Sequence, residues 1–183
     1  MTQIKQSSRD KILSAAAEVA REAGAGRLSL DAVAARAGVS KGGLLYNFPT
    51  KASLMRALVE TFLTNFEQEL DASHTAQDGL LSAYIKLSAI ECAEAQHGAT
   101  GVLAAIAEDP DFLKPIAAFK RRLLDRLKSE SDDFGSLLVI YLALEGMRSL
   151  KLFETEVLTS EERDLAVESM LKIGAGRERN STA

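Results

Sequence analysis

Side chains able to do catalytic or metal chemistry are few and scattered in this sequence. It contains one cysteine, Cys92, and two histidines, His74 and His97. Cys92 and His97 are five residues apart, so on a helix they lie on different faces and form neither a nucleophile pair nor a metal site. A buried thiol and a helix-end histidine are simpler interpretations. Because no acid, base or nucleophile is grouped, we expect no enzyme, no catalytic residues, no metal and no cofactor.

The polar residues that are grouped lie between Ser40 and Lys51, and they suit a DNA duplex. A helix in the major groove needs phosphate donors at its start, small residues where its backbone approaches, and side chains that reach bases. Ser40 offers a hydroxyl and amides at a helix N-terminus, where an anion is favoured. Gly42 and Gly43 each cost about 1 kcal/mol of helix stability relative to alanine, and close approach to DNA is a reason for that cost. The side chains available for bases or phosphates are Lys41, Leu45 and Tyr46.

Two short helices across a glycine turn are predicted to position these residues. Ser29 and Ser40 can each cap one helix, and Gly38 ends the first of the two. This arrangement is a helix-turn-helix. Pro49 then breaks the chain before a long helix that opens at Lys51.

Charge separates this segment from the rest of the chain. The 183 residues include 22 basic and 26 acidic residues, a net charge of −4. Residues 1–51 hold eight basic and four acidic residues, a net charge of +4, so the remainder carries −8. Such asymmetry places the basic end near a polyanion and keeps the acidic end away from it. The basic group at residues 120–128 lies in the acidic part and is interpreted as a solvated helix surface.

Helical periodicity predicts an all-α protein of about nine helices. We expect an N-terminal three-helix DNA-binding domain over residues 1–50, a helical ligand-binding and dimerisation domain over 51–175, and a flexible tail over 176–183. Outside the helix-turn-helix, the predicted helices cover about 8–23, 51–70, 79–96, 100–109, 112–128, 134–153 and 159–174.

The longest apolar run, Leu137 to Leu144, is far shorter than the ~20 residues of a membrane span, so we expect no membrane partner. A single cysteine and no opening secretory signal indicate a cytoplasmic protein. The helix that holds this run is apolar on every side, which requires burial on more than one face. One chain rarely provides that cover, so we predict a homodimer. The candidate interface residues are Leu138, Leu142, Met170 and Ile173.

The segment from Leu28 to Lys51, LSLDAVAARAGVSKGGLLYNFPTK, resembles the DNA-binding signature of TetR-type bacterial transcriptional regulators. The likeness includes the serine cap, the Ala-Arg-Ala-Gly-Val-Ser turn, the Leu-x-Tyr-x-Phe end of the recognition helix and the lysine that follows. Asn47 stands where that family most often has histidine, so the pH response of binding is expected to differ. The resemblance implies phosphate contacts by Ser29, Ser40, Tyr46, Asn47 and Lys51, and base contacts by Lys41, Gly42, Gly43 and Leu45.

In that family, variable helices after the DNA-binding domain form a ligand cavity and a dimer interface. The resemblance therefore implies a ligand-responsive regulator, a repressor that binds a palindromic double-stranded DNA operator as a dimer and is released by a small-molecule effector. The alternative is a helical ligand-binding protein or enzyme without DNA-binding activity. Glu91 either reaches water at a helix end or lines a cavity, and the aromatic candidates are otherwise ordinary core. The candidate pocket residues are Phe62, Phe66, Tyr84, Glu91, Phe112, Phe119 and Tyr141.

Overall fold

The computed structural model of the chain describes residues 7–23, 28–75, 79–94, 109 and 111–175. Regular structure in these residues is entirely α-helical, which confirms the predicted fold class. The Ala-rich helix predicted before Asp109 and the tail predicted after residue 175 lie outside the described residues. The eight described helices are α1 (Ser8–Ala23), α2 (Leu30–Ala37), α3 (Lys41–Asn47), α4 (Lys51–Ser73), α5 (Leu80–Glu94), α6 (Lys114–Ser129), α7 (Phe134–Leu152) and α8 (Ser160–Ala175).

Contacts divide the chain into two compact units. The N-terminal unit comprises Met1–Leu63 and Gln96–Ile116, and the C-terminal unit comprises Thr64–Ala95 and Ala117–Ala183. The predicted boundary at residue 50 divides the chain by expected function, between DNA binding and ligand binding, and it stays a prediction. By contacts, the first half of α4 groups with the N-terminal helices.

The core of the N-terminal unit is built from one apolar face of each of its helices. Helices α1, α2 and α3 pack on one another, and Ile12, Val33 and Leu44, one from each, are fully buried. Phe112, from the segment before α6, is 1% exposed in the same cluster. At the surface of this unit, Arg36 of α2 ties α1 in place through ion pairs with two of its glutamates.

Helix α4 is buried at two separate groups of positions. The first includes Leu54 and Met55, and the second includes Phe66 and Leu70. Phe62, a candidate pocket residue, lies between the groups and is 48% exposed, so it is not buried as the other aromatic candidates are. At 100° per residue, Phe62 lies within about 40° of both Met55 and Phe66 around the helix axis. Helical spacing therefore does not distinguish it from its buried neighbours.

In the C-terminal unit, α5 packs on α7 and α8, and α7 packs on α8. Helix α8 begins with a capping box: the Thr159 amide donates to Glu162 Oε2 over 2.8 Å, and the Glu162 amide donates to Thr159 Oγ1 over 3.2 Å. Helix α6 begins at Lys114, two residues after its predicted start, and Pro115 lies in its first turn, where the missing amide costs little. No helix of the described ranges combines the length and apolar character of a membrane span.

Helix α7 keeps large apolar side chains on its solvent side. Val139 is 63% exposed and Leu142 is 66% exposed within one chain. Among the other candidate interface residues, Leu138 is half-buried and Ile173 is 46% exposed. Met170 is 4% exposed, so the protomer's own core uses this side chain and little of it is left for a partner.

The buried position of Phe112 generates a stability prediction. Phe112→Ala should lower the free energy of unfolding by about 3–5 kcal/mol, because the substitution removes a large buried side chain and leaves a cavity. Urea denaturation followed by circular dichroism measures this change. Phe62→Ala is the matched control and should change stability by about 0.5 kcal/mol or less, since Phe62 is exposed. Equal losses for the two variants would contradict the prediction.

Candidate nucleic-acid interface and ligand site

The turn between α2 and α3 is formed by the predicted residues. Ser29 Oγ accepts a hydrogen bond from the Ala32 amide over 3.1 Å and caps α2. Gly38 ends α2 at φ 64° and ψ 34°, a left-handed conformation that favours glycine. The Val39 amide then donates back to the Ala34 carbonyl over 3.0 Å. These bonds close α2 and start α3 within three residues, which confirms the helix-turn-helix.

Helix α3 is held by its inner face. Leu44 is fully buried and Phe48, which follows the helix, is 3% exposed. The guanidinium of Arg9 lies 5.4 Å from the centre of the Phe48 ring and covers it. Leu45 is half-buried against the same core, so only part of this side chain is left for a base.

The polar side chains on the outer face of α3 differ in how free they are to contact a partner. Tyr46 is 89% exposed. Lys41 is also exposed, but its Nζ lies 2.9 Å from a carboxylate oxygen of Asp31. The Asn47 side-chain amide donates to the Gly43 carbonyl over 2.9 Å, so it already serves the helix itself.

The two glycines of α3 have different surroundings. A methyl group added at Gly43 would lie 3.3 Å from Ser40 Oγ, which accepts the Gly43 amide over 3.0 Å to cap the helix. This glycine therefore leaves room for the cap. A methyl group at Gly42 would meet only the same oxygen, at 4.0 Å, so the described contacts do not require a glycine there. Close approach of a partner is the remaining interpretation of Gly42.

The predicted phosphate contacts at the two ends of the motif lie at helix starts. Ser29 and Ser40 each accept an amide at a cap, and a hydroxyl in that role keeps its own O–H to donate to a phosphate. Lys51 is the first residue of α4 and is half-buried. Just before it, Thr50 and Ser53 cap α4 reciprocally, each amide donating to the other's hydroxyl oxygen.

A second polar site surrounds Arg148 of α7 inside the C-terminal unit. Its Nε donates to Glu91 Oε2 over 3.0 Å, and its Nη1 donates to Tyr84 Oη and to Glu145 Oε1, each over 2.9 Å. Its Nη2 donates to Ser88 Oγ over 2.8 Å. The two alternatives for Glu91 are contact with water at a helix end and the lining of a cavity. In the structure its carboxylate instead forms an ion pair with Arg148.

Aromatic rings complete this site. The Arg148 guanidinium lies 5.4 Å from the ring centres of both Phe66 and Tyr84. Phe119 meets the edge of Phe66 at 6.1 Å, and Tyr141 stacks on Tyr84 at 6.2 Å. Five of the seven candidate pocket residues thus gather here, in contact with Arg148 or with a ring that touches it. Of the other two, Phe112 lies in the N-terminal core and Phe62 is exposed.

The charges of this site are mutually stabilised. Burial by itself lowers the pKa of Arg148, but Tyr84 and Glu91 more than offset this effect and the pKa lies above its usual value. Burial raises the pKa of Tyr84 and, with Glu145, raises the pKa of Tyr141 to about 12. The guanidinium is therefore charged and both phenols are neutral at physiological pH. Spacing in the sequence pairs Arg148 only with Glu145, three residues away on the same helix. The carboxylate of Glu91, a candidate pocket residue, is the sequence signal for a buried basic partner.

A separate cavity, the cysteine and the histidines lie outside the Arg148 site or outside the described residues. A cavity of about 190 Å³ at another part of the C-terminal unit is lined by none of the predicted pocket residues, and Ile173 is among its lining. Burial raises the pKa of the Cys92 thiol, which suits a structural cysteine. His74 Nε2 lies 3.4 Å from Glu130, and His97 lies outside the described residues. Within the described ranges, no three His, Cys, Asp or Glu residues are grouped to hold a metal ion.

Two family models match the chain. Residues 12–58 match the model described as bacterial regulatory proteins, tetR family. Residues 78–174 match the model described as tetracyclin repressor-like, C-terminal domain. No curated protein is similar enough in sequence to count as a match.

Solved structures share the fold at low sequence identity. SCO7518 from Streptomyces coelicolor A3(2) is 22% identical with a TM-score of 0.59, and the alignment covers 92% of this chain and 98% of that one. The multidrug binding protein EbrR, solved with ethidium, is 24% identical with a TM-score of 0.62, covering 91% and 98%. SmeT, solved with triclosan, is 23% identical with a TM-score of 0.58, covering 91% and 90%.

The ion pair between Asp31 of α2 and Lys41 of α3 leads to a prediction: DNA affinity should rise when the pair is removed. Asp31→Asn should strengthen binding to duplex DNA at low salt by roughly two- to fivefold, because an exposed ion pair of this kind is worth up to ~1 kcal/mol and holds Lys41 back. The gain should shrink as salt rises. Fluorescence anisotropy with a labelled duplex measures both effects.

The control for that experiment is Asp125→Asn, which makes the same change in net charge on the exposed surface of α6. It should leave DNA affinity unchanged. An equal gain for both variants would show that net charge, and not the Asp31–Lys41 pair, limits binding.

Proposed function

The chain belongs to the TetR family of bacterial regulatory proteins, and from this premise we propose that it is a dimeric repressor that leaves a palindromic operator when a small molecule binds its C-terminal unit. Family membership makes it a DNA-binding regulator that responds to a ligand, and not an enzyme. We propose four further properties: that it represses transcription, that its operator is palindromic, that it is a dimer, and that the ligand releases it from DNA. Since its DNA lies in the bacterial cytoplasm, we place the protein there.

The outward face of α3 is the observation that best supports DNA binding. A recognition helix contributes base and phosphate contacts from the face opposite its core. Leu44 anchors the inner face, while Tyr46 and Lys41 project outward and Gly42 leaves the backbone accessible. The hydroxyls at the two helix starts add positions for phosphate contacts.

The exposed apolar face of α7 supports the dimer. Val139 and Leu142 are each more than three-fifths exposed, and on α8 Leu165 and Ile173 are exposed as well. Two copies that join these helices form a four-helix bundle in which the same surface faces itself across a two-fold axis. A two-fold dimer presents two recognition helices, which suits half-sites about 34–36 Å apart in successive major grooves.

A ligand can lower DNA affinity only by binding the DNA-incompetent state more tightly. The gathered residues Phe66, Tyr84, Glu91, Phe119 and Tyr141 support a ligand site in the C-terminal unit, because they unite apolar rings with a few convergent polar groups. EbrR and SmeT were each solved with a small organic molecule, and we propose a ligand of comparable size for this chain.

DNA binding is tested by a mobility-shift titration on the DNA upstream of the chain's own gene. Lys51→Ala should weaken binding to every duplex and reduce the salt dependence by about one ion, as expected for a lost phosphate contact. Tyr46→Ala should weaken binding as well. Arg121→Ala is the control because it removes the same positive charge as Lys51→Ala, at an exposed site on α6 in the other unit, where the arginine pairs with Asp125.

If the wild type binds no duplex at low salt, the proposed function is wrong. If both variants bind as tightly as the wild type and the control, the predicted interface is wrong.

The dimer is tested by sedimentation. Leu142→Glu should convert a dimer into a 19.7 kDa monomer at micromolar concentration, because a carboxylate in an apolar interface loses its hydration without gaining a partner. Leu113→Glu makes the same change at a 44% exposed position of the N-terminal unit and should remain dimeric. A monomeric wild type, or a dimeric Leu142→Glu variant, would contradict this interface.

A further inference from the structure

We propose that the effector is an organic cation, and that Arg148 occupies its place in the free protein. This inference rests on the proposed function, since it names the ligand class and the regulation of the same site. The cation cage, as we call it, consists of Phe66, Tyr84, Ser88, Glu91 and Glu145. The guanidinium of Arg148 is the ion that it holds.

The cage already shows the contacts that recognise a cation. Two carboxylates, a phenol and a hydroxyl accept hydrogen bonds from the one guanidinium over 2.8–3.0 Å. Two aromatic rings lie 5.4 Å from its central carbon. Rings at this distance attract a cation through their electron-rich faces, and more strongly when water is excluded. Both Tyr84 and Ser88 are fully buried, so water is excluded from the inner side of the cage.

The charge of the cage selects against anions. Arg148 donates from all three of its nitrogens, and Nη2 also lies 2.9 Å from Glu91. An anionic ligand would have to break these bonds and would then face Glu91 and Glu145. If the guanidinium moves out, the cage keeps two carboxylates, and among the ion pairs of the described residues Lys120 on Glu145 is the one that stays. The vacated cage is therefore a site for positive charge.

Exchange of one cation for another is the least costly way to open this site. Removing a buried charge without replacing it leaves its partners uncompensated, which is strongly unfavourable. A neutral ligand cannot supply that compensation, whereas an amidinium or ammonium group can. The Arg148 side chain is 22% exposed and Glu145 is 18% exposed, so one side of the cage reaches solvent and gives a path for entry. Competition with Arg148 lowers the ligand's apparent affinity by the fraction of molecules in which the guanidinium has left the cage.

The test compares three probes of nearly the same shape: benzamidinium, which is cationic, benzamide, which is neutral, and benzoate, which is anionic. Isothermal titration into the full-length protein should show binding of benzamidinium alone. Arg148→Ala should raise benzamidinium affinity by about tenfold or more, because the internal competitor is gone. Arg121→Ala is the control, since its guanidinium pairs with Asp125 on the exposed surface, and it should leave affinity unchanged.

A second variant keeps the test decisive if Arg148→Ala does not fold. Arg148→Lys keeps a positive charge against the two carboxylates but offers one donor nitrogen in place of three, so it satisfies fewer of the acceptors and competes less well. It should therefore raise benzamidinium affinity, by a smaller factor than Arg148→Ala. Preferential binding of benzoate, equal binding of benzamide and benzamidinium, or unchanged benzamidinium affinity in Arg148→Lys would each overturn the inference.

The mobility-shift titration separates the two proposals. If the wild type binds its upstream DNA but no probe discriminates by charge, the cation inference fails and the repressor proposal stands. If benzamidinium fills the cage with the expected response to both variants but no duplex is bound, the repressor proposal fails and the cation site stands.

Discussion

The burial of Leu44 and Phe48 in the N-terminal core is the contact that orients the outward face of α3, the surface proposed to bind DNA. Helix α3 has seven residues and two glycines, and so short a helix does not form alone in water. Its shape and direction come from packing against Ile12 and Val33. When the inner side chains are packed in this core, Tyr46 lies on the opposite face of α3 and is exposed. The proposed recognition surface therefore depends on apolar side chains that are themselves buried.

The C-terminal unit is organised around a different constraint. At the Arg148 site its interior is polar, and the guanidinium joins α7 to α5 through Tyr84, Ser88 and Glu91. Lys120 extends the network to α6 through Glu145. Apolar side chains tolerate many packings of similar volume, whereas a buried charge needs its partners in fixed positions. The interior of this unit is thus specified by hydrogen bonds as much as by shape.

Local features of this fold could be predicted from the sequence, and tertiary ones could not. The caps at Ser29 and Ser40 and the turn at Gly38 involve residues within a few positions of one another, so their spacing contains the information. The pair Arg148–Glu91 joins residues 57 apart, and Phe112 packs in a core far from it in the chain. Such contacts depend on which helices meet. Helical periodicity indicates that one face of a helix is apolar, but it does not indicate which other helix packs against that face.

The contrast between the glycines of α3 separates a constraint set by the fold from one set by a partner. Position 43 is constrained by the fold, because a side chain there crowds the cap of its own helix. Position 42 has open space around it in the free protein, so a side chain other than proline would fit there and would raise helix propensity. In the proposed complex the same side chain would stand between the α3 backbone and the duplex. The two positions therefore distinguish selection for folding from selection for binding.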